Sequence, residues 1–220
     1  MIGRLASIVS LIAPGALANP FGVDSANKWS WGENVGFMNW RDAGSPAGSQ
    51  GALLYPDILS GFVWCENIGY INLGDGTPAN GIAYGNATGA DFGVNIASDG
   101  RLSGLAWGEN VGWINFDTFA ALAGQGLHAR YDRSSLRLLG FAWGENIGWV
   151  NLNDSQRFVA FVCPADFNAD GFLDFFDFDD FVTCFESGVC PAGRTADMDG
   201  DGFVDFFDFD AFIEAFEAGC

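Results

Sequence analysis

The sequence predicts a mainly β repeat domain followed by a small pair of helices, and three observations point there. One nine-residue phrase occurs four times: W-G-E-N-V-G-F-M-N at 31–39, W-C-E-N-I-G-Y-I-N at 64–72, W-G-E-N-V-G-W-I-N at 107–115 and W-G-E-N-I-G-W-V-N at 143–151. Its starts lie 33, 43 and 36 residues apart, a period that marks a repeated supersecondary unit. Beyond residue 162 the pattern changes to phenylalanines at helical spacing among acidic residues.

The chain begins with a stretch that reads as a secretory leader over residues 1–18. Arg4 supplies the positive start, Leu5 to Ile12 the apolar run, and Ala16-Leu17-Ala18 a small-x-small cleavage site, leaving Asn19 as the mature start. No later apolar run reaches the roughly 18 residues that a spanning helix needs, so no membrane span is expected in the mature chain. Of the 220 residues 49% are hydrophobic, enough for a packed core. The net charge is −19, and residues 163–220 hold 15 acidic residues against one arginine. No basic patch exists, which argues against nucleic acid as a partner.

Residues 19–162 form the expected repeat domain. Each tryptophan is approached by a short apolar run (S-G-F-V-W, S-G-L-A-W, L-G-F-A-W) and followed by an aromatic–aliphatic pair. Glu-Asn-Val/Ile-Gly lies between as a turn, where Asn tolerates left-handed backbone and Gly supplies positive φ. A hairpin with a bulged turn follows. Upstream segments such as Phe92 to Ala97 add a third strand, so the units read as three-stranded antiparallel meanders that close as a barrel, a prism or a small propeller. The first unit lacks its upstream strand, and the trailing segment Phe158 to Val162 is placed to pair with it and close the sheet. The segments 42–51 and 74–89 read as surface insertions.

Trp31, Trp64, Trp107 and Trp143 occupy one repeated position, which reads first as core packing, each ring covering its own hairpin. The sharper alternative is a sugar-binding surface, with the rings stacking on pyranose faces and Glu33, Asn34, Glu66, Asn67, Glu109, Asn110, Glu145 and Asn146 bonding hydroxyls. For the four glutamates the simpler role is a carboxylate that accepts backbone N–H groups and fixes the turn. Catalysis is not expected. The single histidine, His128, excludes a multi-histidine site and reads as a surface or turn residue. No nucleophile elbow, P-loop or dinucleotide fingerprint is present. Paired carboxylates could hydrolyse glycosides, but four near-identical turns do not make one asymmetric site.

The tail, residues 163–220, carries two copies of a twelve-residue pattern: D-F-N-A-D-G-F-L-D-F-F-D at 166–177 and D-M-D-G-D-G-F-V-D-F-F-D at 197–208. Oxygen-bearing residues at alternate positions with Gly at the sixth match a calcium loop, because calcium takes six to eight hard oxygen ligands and the glycine permits the sharp turn. Asp166, Asn168, Asp170 and Asp177 would give side-chain oxygens, Phe172 its carbonyl, and Asp174 a direct or water-borne contact. Asp197, Asp199, Asp201, Asp208, Phe203 and Asp205 would do the same for a second ion. Each loop feeds an amphipathic helix. Phe175, Phe178, Phe181, Val182 and Phe185 line one, and Phe206, Phe209, Phe212, Ile213 and Phe216 the other, with the two stripes packed together. Phe176 and Phe207 fall off the stripes and are expected to be exposed.

This tandem loop–helix pair, with Asp at the twelfth position of each loop and a terminal Gly219-Cys220, resembles the bacterial GC-type dockerin domain. The resemblance covers about a quarter of the chain. It implies two calcium ions, export, and attachment to a cell-surface anchoring component. Cellulosomal dockerins carry small hydroxyl residues where this chain has Phe175-Phe176 and Phe206-Phe207, so a standard cohesin partner is not implied. Cys163, Cys184, Cys190 and Cys220 lie in or beside the tail and are disulfide candidates that fit an exported protein. The ends of such a domain lie close, which favours Cys163–Cys220 and leaves Cys184–Cys190 to close a short loop; a competing use of Cys220 is covalent attachment during surface sorting. Cys65, which replaces a repeat glycine, reads as a buried free thiol. The expected protein is therefore exported and non-catalytic, a surface structural or adhesion element on a calcium-bearing tail. A surface-glycan lectin is the alternative, and a glycan-degrading enzyme the weaker third.

Overall fold

A computed structural model describes residues 21–170, 172–192, 194–198 and 202–218. The expected leader 1–18 lies outside these, as do Gly171, Asp199, Gly200, Asp201, Gly219 and Cys220. In chain order the strands are β1 (Phe21–Gly32), β2 (Gly36–Asn39), β3 (Leu53–Leu54), β4 (Leu59–Ser60), β5 (Phe62–Cys65), β6 (Gly69–Asn72), β7 (Val94–Ile96), β8 (Leu102–Gly108) and β9 (Gly112–Asn115). After the one-turn helix α1 (Phe119–Leu122) come β10 (Arg130–Asp132), β11 (Arg137–Leu139), β12 (Phe141–Gly144), β13 (Gly148–Asn151) and β14 (Val159–Val162). Two longer helices, α2 (Phe175–Ser187) and α3 (Phe206–Ala218), complete the chain.

Each repeat phrase builds one hairpin: β1–β2, β5–β6, β8–β9 and β12–β13. The hairpins join side by side through β2–β5, β6–β8, β9–β12 and β13–β1, so eight strands close an antiparallel barrel. Of the three closures compatible with the sequence, the barrel is the one formed. Closure removes the edge strands that an open sheet would expose. The trailing strand β14 pairs with β1, as the sequence suggested, and also with β11, but it does not close the barrel: it meets the part of β1 before Trp29, and closure falls to β13 at Trp31 and Gly32.

The turn explains the hairpin. In each unit the N–H of Val35, Ile68, Val111 or Ile147 bonds the carbonyl of the residue three back, and the next glycine sits at positive φ (Gly36 at 83°). The left-handed position falls to glycine alone; the repeat asparagines do not adopt it. Three further glycines make corners. Gly61, Gly104 and Gly140 each stand three residues before the repeat tryptophan, with φ of 81°, 87° and 81°. A Cβ at any of them would come within 2.2 Å of a neighbouring carbonyl oxygen. There the chain bends from an outer strand into a barrel strand, β4 into β5, within β8, and β11 into β12. In the first unit Lys28 holds this place, and β1 passes through on an irregular register between Val23 and Lys28.

Strand alternation then sorts the side chains. Large and small residues pair across the interior: Met38 with Ser30, Ile71 with Val63, Ile114 with Ala106, Val150 with Ala142. Val35, Ile68, Val111 and Ile147 fold inward and plug the turn end, over Gly32, Cys65, Gly108 and Gly144. An eight-stranded barrel is just wide enough for such filling. The core continues under the outer strands through Leu59, Leu73, Leu102, Leu138, Leu152 and Phe161.

The helical segment has its own core. Phe181 and Phe212, both fully buried, stack face to face at 3.9 Å, with Phe167, Phe178, Phe185, Phe209 and Phe216 around them. The stripe prediction holds from Phe178 and Phe209 onward but fails at the first helical residues. Phe175 and Phe206 are 69% and 71% exposed, like Phe176 and Phe207. A residue in the first turn of a helix has no preceding turn to bring it against its partner, so the apolar stripe begins one turn late.

Candidate ligand grooves on the barrel wall

The repeat tryptophans are not core. Trp31, Trp64 and Trp143 are exposed to between 37% and 43%, and Trp107 is half-buried. Their cross-strand partners Phe37, Tyr70 and Trp113 are also exposed. Of the eight tryptophans, only Trp40 is fully buried, its indole N–H donating to Ser30 Oγ at 2.8 Å. The physical reason is space. The inward positions face across a narrow barrel, and the alternation that sends Gly, Ser, Ala, Val and Ile inward sends every repeat aromatic outward.

Outside, the rings form ladders. Trp31–Phe37, Trp64–Tyr70, Trp107–Trp113 and Trp143–Trp149 lie directly opposite in register, with centroids 4.6–4.8 Å apart and planes steeply inclined. A third ring extends most ladders: Trp29 on Phe37, Phe62 on Tyr70 and Phe141 on Trp149. The third unit has Leu105 at that position, and Phe92, arriving from the long upstream loop, stacks edge-on to Trp113 instead. The third-ring positions were missed in the sequence, although Trp29, Phe62 and Phe141 stand two residues before the repeat tryptophan and so share its face.

The repeat asparagines are occupied by the fold. The side-chain amides of Asn34, Asn67, Asn110 and Asn146 donate to the carbonyls of Ile147, Val35, Ile68 and Val111, at 2.9–3.2 Å. Each bond runs to the turn of the preceding unit, and the four make a closed circle around the barrel end. One of the two N–H donors of each amide is therefore committed to the fold, leaving the second N–H and the Oδ1 for any further contact. The glutamates differ. Glu33, Glu66, Glu109 and Glu145 are exposed. Glu33 accepts weakly, at 3.4 Å, from the N–H of Trp149 in the adjoining unit rather than within its own turn.

Between hairpins the ladders wall grooves. The groove between the first and second units has a volume of about 740 Å³ and is lined by Trp29, Trp31, Phe37, Trp64, Glu66 and Arg157, with Asn39 and Asn67. The groove between the fourth and first, about 400 Å³, is lined by Trp149, Asn151, Trp31, Glu33 and Phe141, with Leu122 and Leu127 from the α1 segment. Trp31 thus belongs to both. Asn39 is braced by donating to Asp42 at 3.0 Å, and Lys28 bonds the same carboxylate at 2.5 Å. Partial burial alone would raise the Asp42 pKa, but the bonds from Lys28 and Asn39 outweigh it and hold the carboxyl below the usual range. His128, expected at the surface, is half-buried beside Phe119, its Nδ1 unpartnered. Burial, with Arg130 and Arg101 nearby, lowers its pKa.

In the acidic tail the first loop curls its oxygens inward. The Asp170 N–H donates to both Asp166 Oδ1 and Asn168 Oδ1, and Asp170 Oδ1 accepts from Phe172. Asp177, fully buried, accepts from the N–H groups of Asn168 and Asp174, while Asp174 accepts from Phe176, so the last loop residues form a capping box on α2. The second loop repeats this: Asp208 accepts from Met198 and Asp205, and Asp205 from Phe207. Asp197 accepts from Gly202. The donor set is all oxygen, as calcium requires. Among the described residues no three or more His, Cys, Asp or Glu side chains are gathered as a metal cluster. Phe172 and Phe203, expected to offer carbonyls, have exposed side chains. Cys184–Cys190 is a disulfide, and Cys163 is also disulfide-bonded; its expected partner Cys220 lies outside the described residues. Cys65 is a buried free thiol, its Sγ 3.5 Å from the Val35 carbonyl. Among the described residues no helix is long and apolar enough to cross a membrane.

Comparison with protein-family models, with curated proteins and with solved structures yields no match.

Proposed function

We propose that this is an exported, non-catalytic surface protein whose barrel binds carbohydrate and whose tail, stabilised by two calcium ions, tethers it to a surface component. The observation that carries the binding reading is the outward belt of aromatic ladders, repeated around the barrel with exposed carboxylates beside it. Contiguous exposed apolar surface rimmed by polar groups marks a binding site more often than a structural accident. Flat rings with a hydroxyl-accepting carboxylate nearby suit a pyranose, which offers apolar C–H faces and equatorial hydroxyls. A belt kept only for hairpin stability would gain a fraction of a kcal/mol per pair, roughly 0.2–1, without needing exposed rings.

In the tail, Asp166, Asn168, Asp170 and Asp177, with Asp174 and the Phe172 carbonyl, would hold one ion. The set led by Asp197 and Asp208, with Asp199 and Asp201, would hold the other. Bound calcium supplies positive charge that offsets the clustered carboxylates. The chain's own contribution is the capping geometry, which aims Asp177 and Asp208 from a helix start back across each loop.

The test is a glycan array probed with the full chain in calcium, while tryptophan emission is followed. Saturable binding with a change in emission is expected, and Trp31→Ala, which strips a wall from two grooves, should weaken it roughly tenfold. No binding to any glycan would return the barrel to a purely structural role.

A further inference from the structure

The grooves are chemically unequal, and the inequality names a ligand class. We infer, building on the carbohydrate reading above, that the groove between the first and second units takes a glycan bearing a uronic acid, with Arg157 pairing the sugar carboxylate.

Arg157 comes from the β13–β14 connection, where its backbone N–H donates to Asp154 Oδ1 at 2.7 Å and so fixes the turn. Its guanidinium lies 5.8 Å from the Phe37 ring and, among the described residues, makes no hydrogen bond or ion pair; the Asp154 carboxyl, held below its usual range first by the N–H groups of Gln156 and Arg157, also feels the Arg157 charge. Most of the other described cations are bonded to a carboxylate or a carbonyl. Lys28 and Arg41 bond Asp42, Arg101 bonds Asp99, Arg130 bonds the Gly126 carbonyl, Arg133 the Pro56 carbonyl, and Arg194 the Asp166 carbonyl. Arg137, by contrast, stacks on Phe158 at 3.4 Å with its Nε buried and unpartnered, away from the groove lining. In a chain of net charge −19, an arginine left with free N–H donors at the wall of an aromatic groove is charge complementarity awaiting an anion.

The form of the cation and its surroundings narrow the ligand. A guanidinium presents a planar fork that matches a carboxylate in two parallel N–H···O bonds. Trp31, Phe37 and Trp64 give the rings on which a sugar stacks. Glu66 lines the same groove, so the ligand must also offer hydroxyl groups to a carboxylate. A chain charged on every residue would be repelled by Glu66, whereas an uronate flanked by neutral sugars satisfies both. The groove of the fourth and first units has Glu33 but no cation among its lining residues, and should take neutral sugar.

The experiment measures binding of the full chain to three oligosaccharide series of equal length: neutral, neutral with single uronic acids, and neutral with single sulfate esters. It is run at low and at physiological salt, for wild type, Arg157→Gln and Glu66→Gln. Wild type is expected to hold the uronate series about fivefold tighter than the neutral one at low salt, the scale of a partly exposed ion pair. Raised salt should narrow that margin. Arg157→Gln should abolish the margin between the uronate and neutral series. Glu66→Gln should weaken neutral binding and leave the margin in place. Neutral binding with no uronate margin, a margin that survives in Arg157→Gln, or a stronger preference for sulfate would overturn the inference while sparing the carbohydrate reading. Failure of all three series to bind would overturn both.

Discussion

The barrel and the tail are both built from duplicated phrases rich in aromatic residues, yet they hold together in opposite ways. In the barrel each unit is bonded to the next by a neutral amide–carbonyl link, from Asn34, Asn67, Asn110 and Asn146, and the narrow interior is filled by aliphatic side chains. In the tail two phenylalanine-lined helices meet at one stacked pair, and each helix start carries a buried carboxylate, Asp177 or Asp208. The repeat aromatics are on the outside of the first, and the phenylalanine stripes from Phe178 and Phe209 onward are on the inside of the second. Repetition around a ring satisfies its own polar groups, whereas duplication of an acidic loop concentrates charge that something else must neutralise.

The sharpest way to break this contrast is chelation. With calcium removed, repulsion among the loop carboxylates is expected to melt α2 and α3, while the aromatic circular-dichroism signal of the barrel persists. A far-ultraviolet spectrum unchanged in excess chelator would end the calcium reading of the tail. Next in size is Phe212→Ala. It removes one face of the 3.9 Å stack and should destabilise the tail by about 3–5 kcal/mol, leaving barrel unfolding unmoved in a two-transition melt. Loss of both transitions together would show that the two cores unfold as one. Smallest is Asn67→Ala. It deletes one link of the circle and should lower the barrel's denaturant midpoint by the equivalent of about 1 kcal/mol, with the tail unaffected.

The unit itself was legible from the sequence. The phrase gave its hairpin and turn, the trailing segment gave β14 beside β1, and the F-F-D-F-D segments gave the helices. What period-two alternation could not give was which face is inside, because both faces of these strands are apolar. The clue lay in the small residues. Gly32, Gly108 and Gly144, with Ser30, Ala106 and Ala142, share one face, and only a cramped interior calls for them. Reading the largest residue as the core residue put Trp31, Trp64, Trp107 and Trp143 on the wrong side. The inter-unit bonds of the asparagines depend on which turn lies beside which. Arg157 reaches the first unit from the last, a proximity that only ring closure creates.

That closure also fixes how such a protein can change over time. A solenoid grows by adding units at either end, each meeting only its neighbours. Here the asparagine of the first turn is bonded to the last, so there is no end at which to add. A fifth copy of the phrase would widen the barrel and empty its centre, and a lost copy would leave too little room for Met38, Ile71, Ile114 and Val150. Unit number is therefore held at four by geometry. Divergence is pushed instead into the connections, where one loop brings Phe92 to a ladder and another brings Arg157 to a groove.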